Sequence, residues 1–378
     1  MNTDKGLMNK LAKKGQKNAP FAATIDVFQK SLSEMLTSDR INQQHMKIGI
    51  IGTGWVSDLH LNALKKIEGA EVVAIAGRNE ARASELAQPW GAKTYEKPLS
   101  MLENESLDAV FILLPPHLHG DLERMCSEHV RAVLIEKPIS QSLETTREIN
   151  GYFKKAGTIV SVGYMNRYRQ SVQKAHELFS QPNNQGILAN GWWTTQMPPP
   201  LWWRTFDHSG GQFAEQCTHL VDICRYAMGD IVEVSAFATG GFMKEVPDYS
   251  VDDAMVVNAR FASGALASFS TGCFPHHDNS ANPDGGIGLS LSSRNHRIAL
   301  ATWNLEGTVY SGEDDKESIP TEEDIFYVQN KAFLDAAATN DPSGILSPYE
   351  DAMKTLATTL AANESARHQN GAPVKVAH

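Results

Sequence analysis

The sequence predicts an α/β fold: a doubly wound parallel sheet of the Rossmann type, followed by an α+β unit built on a large open, mostly antiparallel sheet. Three observations predict it. Short branched apolar runs alternate with helix-forming stretches between Met46 and Val162, the pattern of successive βαβ units. A glycine-bearing turn follows the first of these runs directly. Beyond Arg167 the texture changes to apolar–polar alternation, the mark of a sheet with one face on a core and one face exposed.

The first strand is Lys47–Ile51, and it enters the turn Gly52-Thr53-Gly54-Trp55-Val56-Ser57. Gly52 permits the tight turn, and Gly54 lacks the Cβ that would obstruct a pyrophosphate. A helix over Trp55–Ile67 aims its first amides at that anion. Ser57 stands at the third glycine position, where a small residue allows helix and strand to approach. Strand Val72–Ala76, helix Glu80–Gln88, a short strand Lys93–Tyr95, strands Ala109–Leu114 and Ala132–Ile135, helix Leu143–Ala156 and strand Thr158–Val162 complete the series. Ligands of such sheets bind beyond the carboxyl ends of the strands. That rule selects three loops: Gly52–Ser57, Pro115–Gly120 and Glu136-Lys137-Pro138.

In the second unit the alternating segments are Gly186–Thr195, Ile231–Ala238, Asp253–Phe261 and Ala265–Thr271, with helices at Phe213–Met228, Asp324–Thr339 and Tyr349–Asn370. The expected organisation is an extension over 1–45, a dinucleotide-binding domain over 46–165, a substrate and oligomerisation domain over 166–345, and a closing helix and tail over 346–378. The extension carries Lys5, Lys10, Lys13, Lys14 and Lys17, with Phe21, Ile25, Phe28, Leu32 and Met35 at helical spacing. Three readings compete, a disordered tail, an arm that docks on another subunit, or an upstream extension before a start at Met46, and a poorly ordered, non-catalytic segment is the preferred one.

A chain of 378 residues with 42% hydrophobic content suits two domains with substantial cores. A net charge of −10 argues against nucleic acid or an anionic membrane as the main partner. Four cysteines at 126, 217, 224 and 273 contain no CxxC pair, so neither a zinc site nor a disulfide framework is indicated, and a reducing cytoplasm fits.

The end of the second strand selects between nicotinamide cofactors. An acidic residue there would hold the ribose hydroxyls of NAD(H), but the sequence has Gly77-Arg78-Asn79. Arg78 suits a 2′-phosphate, so NADP(H) is preferred and NAD(H) possible; a solvated helix-start residue is the plain alternative.

Lys137 follows a buried strand at the ligand edge, where it is expected to hold and deprotonate a substrate hydroxyl and favour the developing alkoxide, with His219 relaying the proton. Glu136 beside it can pair with a base or touch the nicotinamide ribose. Glu215 and His219, four apart on one expected helix, share a face; the histidine can shuttle a proton, and the carboxylate can orient it or the substrate. The run Trp192 to Arg204 carries four tryptophans. Trp192 and Trp193 are expected in the sheet, while Trp202, Trp203 and Arg204 are expected at the cleft. There indole faces can stack on a sugar ring and Arg204 can hold a hydroxyl or carboxylate; the plain alternative is that these tryptophans fill a core or an oligomer interface. His276-His277 in a Pro/Asn/Gly-rich stretch receives no assignment.

Four motifs in order carry a family resemblance: the glycine turn, Leu114-Pro115-Pro116-His117-Leu118-His119, Glu136-Lys137-Pro138, and Gly210-Gly211 followed by Glu215-x-x-x-His219. The chain from Met46 to its C-terminus resembles the glucose–fructose oxidoreductase / inositol dehydrogenase family. Glu364-Ser365-Ala366 followed by Pro373-Val374 is similar to that family's closing helix and final strand. The resemblance implies an NAD(P)-dependent enzyme oxidising a secondary alcohol of a sugar, polyol or related cyclic compound. It further implies a homo-oligomer (dimer or tetramer), His119 near the nicotinamide, His117 as a lesser contact, and Asn166 and Arg167 bordering cofactor or substrate. Arg167 can equally pin the crossing between domains. Where the family usually has aspartate, this chain has Glu215, and Cys217 replaces a common glycine. Two rival readings are a glycosidase working through transient oxidation and a non-catalytic dinucleotide sensor.

Overall fold

The computed structural model describes residues 45–274, 286–312, 315–321 and 324–377. The helix expected over Phe21–Met35 and the pair His276-His277 lie outside them.

The first unit runs β1 (Met46–Ile51), α1 (Trp55–Leu64), β2 (Ala70–Ala76), α2 (Glu80–Ala87), β3 (Lys93–Tyr95), α3 (Pro98–Asn104), β4 (Ala109–Ile112), α4 (Asp121–His129), β5 (Ala132–Ile135), α5 (Leu143–Ala156) and β6 (Ile159–Val162). All its strands are parallel in the order β3-β2-β1-β4-β5-β6. The order reverses between β1 and β4, which opens a crevice above their carboxyl ends. Alternate residues of each strand enter different cores: Ile48, Ile50 and Phe111 face one side, while Ile51, Val110 and Ile112 face the other. Burial on both faces explains why these strands are continuous apolar runs. Helices α3 and α4 are additions to the elements expected from the sequence.

The second unit contains α6 (Gln170–Phe179), β7 (Leu188–Gln196), α7 (Phe206–Ser209), α8 (Thr218–Met228), β8 (Ile231–Thr239), β9 (Ala254–Phe261), β10 (Leu266–Phe274), β11 (Ile287–Ser292), β12 (Arg297–Ala301), β13 (Glu306–Tyr310) and β14 (Lys316–Ile319). Helices α9 (Ile325–Thr339) and α10 (Tyr349–Arg367) and strand β15 (Val374–Lys375) follow. The nine-stranded sheet has the order β14-β13-β12-β11-β7-β10-β9-β8-β15. Its pairs are antiparallel except β7 with β10. The inner face packs Val257, Phe269 and Leu289 against Leu220, Val221 and Cys224 of α8. From Met255 to Phe261 strand β9 alternates between buried and exposed positions, as its sequence pattern requires.

Two C-terminal helices return to the first unit. Helix α9 falls before the boundary expected at 345, yet its Phe333 and Leu334 lie in the core of the first sheet with Ile48, Leu64 and Phe111. Phe333 meets the Phe111 ring edge-on at 5.3 Å between centroids. Helix α10 contributes Tyr349, Ala352 and Leu356 to the opposite core.

Candidate active site

Gly52 has a φ of +116°, and a Cβ there would stand 2.2 Å from the Leu113 carbonyl oxygen, so the β1–α1 turn admits only glycine. Gly54 differs: a Cβ there would meet no protein atom within 4 Å, so packing does not demand its glycine. Gly54 is the N-cap of α1, and no side chain caps that helix. Open space over an uncapped helix N-terminus is where an anionic phosphate group fits. The Ser57 hydroxyl donates to the Gly52 carbonyl at 3.0 Å and is fully buried, which tightens the turn from within. The residues present fit a dinucleotide.

The turn opens into a cavity of about 410 Å³, in the range of small-molecule sites. Its lining includes Thr53, Gly54, Trp55 and Val56 from the turn, Leu114 and Pro115 after β4, Glu136 and Lys137 after β5, and Trp202, Glu215 and His219 from the second unit. Three segments that the strand-end rule selected thus converge with the Glu215–His219 segment on one space.

Lys137 is the centre of this convergence. Its Nζ donates to Glu215 Oε1 at 2.7 Å and to the Glu215 carbonyl oxygen at 2.6 Å. The second carboxylate oxygen of Glu215 accepts from Trp203 Nε1 at 3.0 Å. Residues Phe213–Cys217 form a π-helical turn before α8, a local widening often found at functional sites. Glu215 therefore faces Lys137, and the expected Glu215–His219 partnership is not formed: Nδ1 of His219 is buried without a hydrogen-bond partner. Burial and the charges of Lys137 and Arg169 push the His219 imidazole well below its ordinary pKa, so it is neutral. It stacks on Trp193 at 5.9 Å and meets Tyr164 edge-on.

Glu136 lines the same cavity and is held from below. Its Oε1 lies 3.1 Å from Nε2 of the fully buried His60, whose Nδ1 lies 2.9 Å from Asn330 Oδ1 on α9. Oε2 accepts the Lys137 backbone N–H at 3.1 Å. A Cβ at Gly163 would stand 2.7 Å from Glu136 Oε1, so that glycine makes room for the carboxylate. The Lys137–Pro138 peptide bond is cis.

Other expected contacts lie elsewhere. His119 does not line the cavity: its imidazole is enclosed, pairing with Glu123 and reaching the Leu114 carbonyl at 3.1 Å. The Glu123 carboxylate offsets the desolvation of His119 and raises its pKa. His117 stacks on His208 at 4.3 Å and bonds the His208 carbonyl. Asn166 accepts from Arg169 Nε at 2.8 Å. Arg167 makes a two-pronged buried bond to Asp222, 2.7 Å and 2.6 Å, and pairs with Asp351. It pins α8 and α10 at the crossing and does not reach the cavity. Arg204 also stays outside the lining, with Nε buried and unpartnered. Arg78 is exposed after β2.

Trp203 lines the cavity beside Trp202. The lining residues that sequence reasoning misses are Trp193, expected only in the sheet, and Met165, Gln216, Trp303 and Phe326. His60 and Asn330 behind Glu136 were likewise missed; nothing in their spacing marks them, since their partners are 76 and 270 residues away.

Comparison with known proteins identifies the family. Residues 46–164 match the oxidoreductase family with NAD-binding Rossmann fold, and residues 186–308 match the GFO/IDH/MocA C-terminal domain. The chain belongs to the GFO/IDH/MocA oxidoreductase family. Within it, the chain is 31% identical over 229 residues to a myo-inositol 2-dehydrogenase of Thermotoga maritima, covering 58% of this chain and 66% of that one. It is 29% identical over 230 residues to a scyllo-inositol 2-dehydrogenase (NAD(+)) of Bacillus subtilis, covering 59% and 66%. The matched stretch thus spans just under two thirds of these relatives. The crystal structure of a probable dehydrogenase from Thermotoga maritima superimposes with a TM-score of 0.71 at 25% identity, over 88% of this chain and 99% of that one.

Proposed function

We propose that this chain is an NAD(P)-dependent oxidoreductase moving a hydride between nicotinamide and a secondary alcohol of a sugar, polyol or related cyclic compound. The observation that carries the reading is the meeting of Lys137 and His219 in one cavity with the glycine turn. When bound, the dinucleotide supplies the hydride acceptor or donor. Gly52, Thr53, Gly54, Trp55 and Val56 would hold its phosphates and nearby parts, with Leu114, Pro115 and Glu136 beside them.

The chain's own residues manage the proton. Lys137 Nζ holds the oxygen of the reacting hydroxyl and stabilises negative charge developing there. Glu215, fixed by Trp203, sets the position of that ammonium. His219 enters neutral, so one ring nitrogen is available to accept the hydroxyl proton, and the stacked Trp193 holds the ring plane. The inositol dehydrogenases among the relatives support a cyclic polyol or sugar as substrate. Arg78 supports NADP(H) as the preferred cofactor, with NAD(H) accepted. The outer face of the nine-stranded sheet exposes Phe237 opposite Val256 and Leu266 beside Leu188, which supports a homo-oligomer. The four free, buried cysteines are compatible with a cytoplasmic protein, and among the described residues no helix is long and apolar enough to cross a membrane.

The deciding experiment is Lys137→Ala, assayed by nicotinamide absorbance on a sugar and polyol panel alongside NAD(P)H fluorescence titration. Turnover should fall by about 10³-fold or more while dinucleotide affinity stays within about twofold. Surviving turnover would overturn the mechanism.

A further inference from the structure

The chain has seven tryptophans, and five of them, Trp55, Trp193, Trp202, Trp203 and Trp303, line the one cavity that holds Lys137 and His219. Two of the five have roles at the reacting end: Trp203 bonds Glu215, and Trp193 stacks on His219. Trp303 serves neither. Its ring meets Trp193 edge-on at 6.1 Å, so His219, Trp193 and Trp303 form an aromatic series leading from the buried histidine outward. His219 and Trp193 are each 4% exposed and Trp303 is 48% exposed, so the series ends at the mouth.

The turn that carries Trp303 is built to present it. Thr302 and Leu305 bracket it with φ of +66° and +51°, a region that a β-branched residue rarely adopts. The turn is held in this form by Thr302 N–H on the Ile287 carbonyl at 3.0 Å, Ser171 Oγ on the Leu305 carbonyl at 2.9 Å, and burial of the Leu305 side chain. Backbone strain maintained around a half-exposed indole at a cavity mouth points to a binding role for that indole. The charges of the lining narrow the ligand. Its carboxylates are Glu136 and Glu215, its one cationic side chain, Lys137, is already paired with Glu215, and no arginine is present among the described lining residues.

We propose that Trp303 is the platform of a second subsite, and that the substrate is a neutral two-ring compound: a sugar ring at Lys137 and His219 joined to a second ring that lays a flat apolar face on Trp303. The second ring is an aryl group or another sugar, since both offer such a face. This rests on the hydride-transfer reading only in assigning the reacting end to Lys137.

The test compares binding and turnover for free glucose, galactose, mannose and xylose, their phenyl α- and β-glycosides, and the corresponding glucose-, galactose-, mannose- and xylose-ended disaccharides. Calorimetry on the NAD(P)H-loaded protein reads binding independently of turnover. At least one two-ring compound should bind about tenfold or more tighter than its free sugar. Trp303→Ala should erase that gain while changing free-sugar affinity less than about twofold, and Trp303→Phe, which keeps a flat ring, should retain most of it. A gain confined to phenyl glycosides identifies an aryl group, and a gain with disaccharides identifies a sugar. The subsite is overturned if no two-ring compound exceeds its parent sugar, or if Trp303→Ala weakens both classes equally. A Trp303-dependent gain without any nicotinamide absorbance change would retain the subsite and remove the hydride-transfer reading instead. Turnover of free sugars with no second-ring gain would do the reverse.

Discussion

Lys137 Nζ touches Glu215 twice, through the side-chain carboxylate at 2.7 Å and the backbone carbonyl at 2.6 Å. A carboxylate one methylene longer than the family's usual aspartate thus reaches the lysine while its other oxygen holds Trp203. Glu215→Gln keeps the shape and removes the charge. Turnover should drop by about 10- to 100-fold with little change in dinucleotide affinity, because the ammonium loses its anchor and not its presence. Steady-state kinetics beside fluorescence titration checks this; an unchanged turnover would assign Glu215 a purely structural part.

The two glycines of the β1–α1 turn should fail differently. Gly52→Ala places a methyl against the Leu113 carbonyl at positive φ and should cost roughly 1–3 kcal/mol or more of stability. Gly54→Ala meets no protein atom and has ordinary extended backbone, so the thermal midpoint should hold while NAD(P)H affinity falls at least about tenfold. Calorimetry and fluorescence separate the two; loss of stability in Gly54→Ala would refute the phosphate-site reading.

His219 gives a pH dependence with a definite sign. Its folded pKa is depressed, so below the unfolded value near 6.5 the unfolded chain binds the extra proton and stability falls as pH falls. Each pH unit in that window removes at most about 1.4 kcal/mol through this residue. His119, with a raised pKa, acts in the opposite direction and is common to both proteins in the comparison. Between pH 7 and pH 5, wild type should therefore lose more stability than His219→Gln in denaturant titrations. Parallel losses would show that the imidazole is not held neutral.

Arg78 decides the cofactor question by difference. Arg78→Ala should weaken NADPH by about tenfold or more and NADH by less than about twofold, since a guanidinium on a 2′-phosphate has no counterpart in NADH. Equal losses would remove the case for that contact.

Much of this was legible because it is local. The βαβ alternation, the glycine turn, the Glu136–Lys137 loop and the alternation of β9 are each short-range patterns imposed by burial on one face or two. What was not legible lies in local backbone detail, in competing near neighbours and in partners far along the chain. Glu215 and His219 read as an i,i+4 pair on a regular helix, and the π turn that separates their roles leaves no mark in spacing. His119 resembles a cofactor contact, but Glu123, four residues on, claims its ring. Arg167 had two readings, and the partners that favour the structural one, Asp222 and Asp351, are 55 and 184 positions away.

Helix α9 carries a consequence for synthesis. Phe333 and Leu334 complete a core whose other members, Ile48, Leu64 and Phe111, emerge from the ribosome more than two hundred residues earlier. Leu61 and Leu64 of α1 and Leu86 of α2 cover part of that sheet face early, and the remainder waits until almost the whole chain has been translated. A fragment ending at residue 165 would keep that gap open, and should be a client for chaperones and not a free-standing dinucleotide binder.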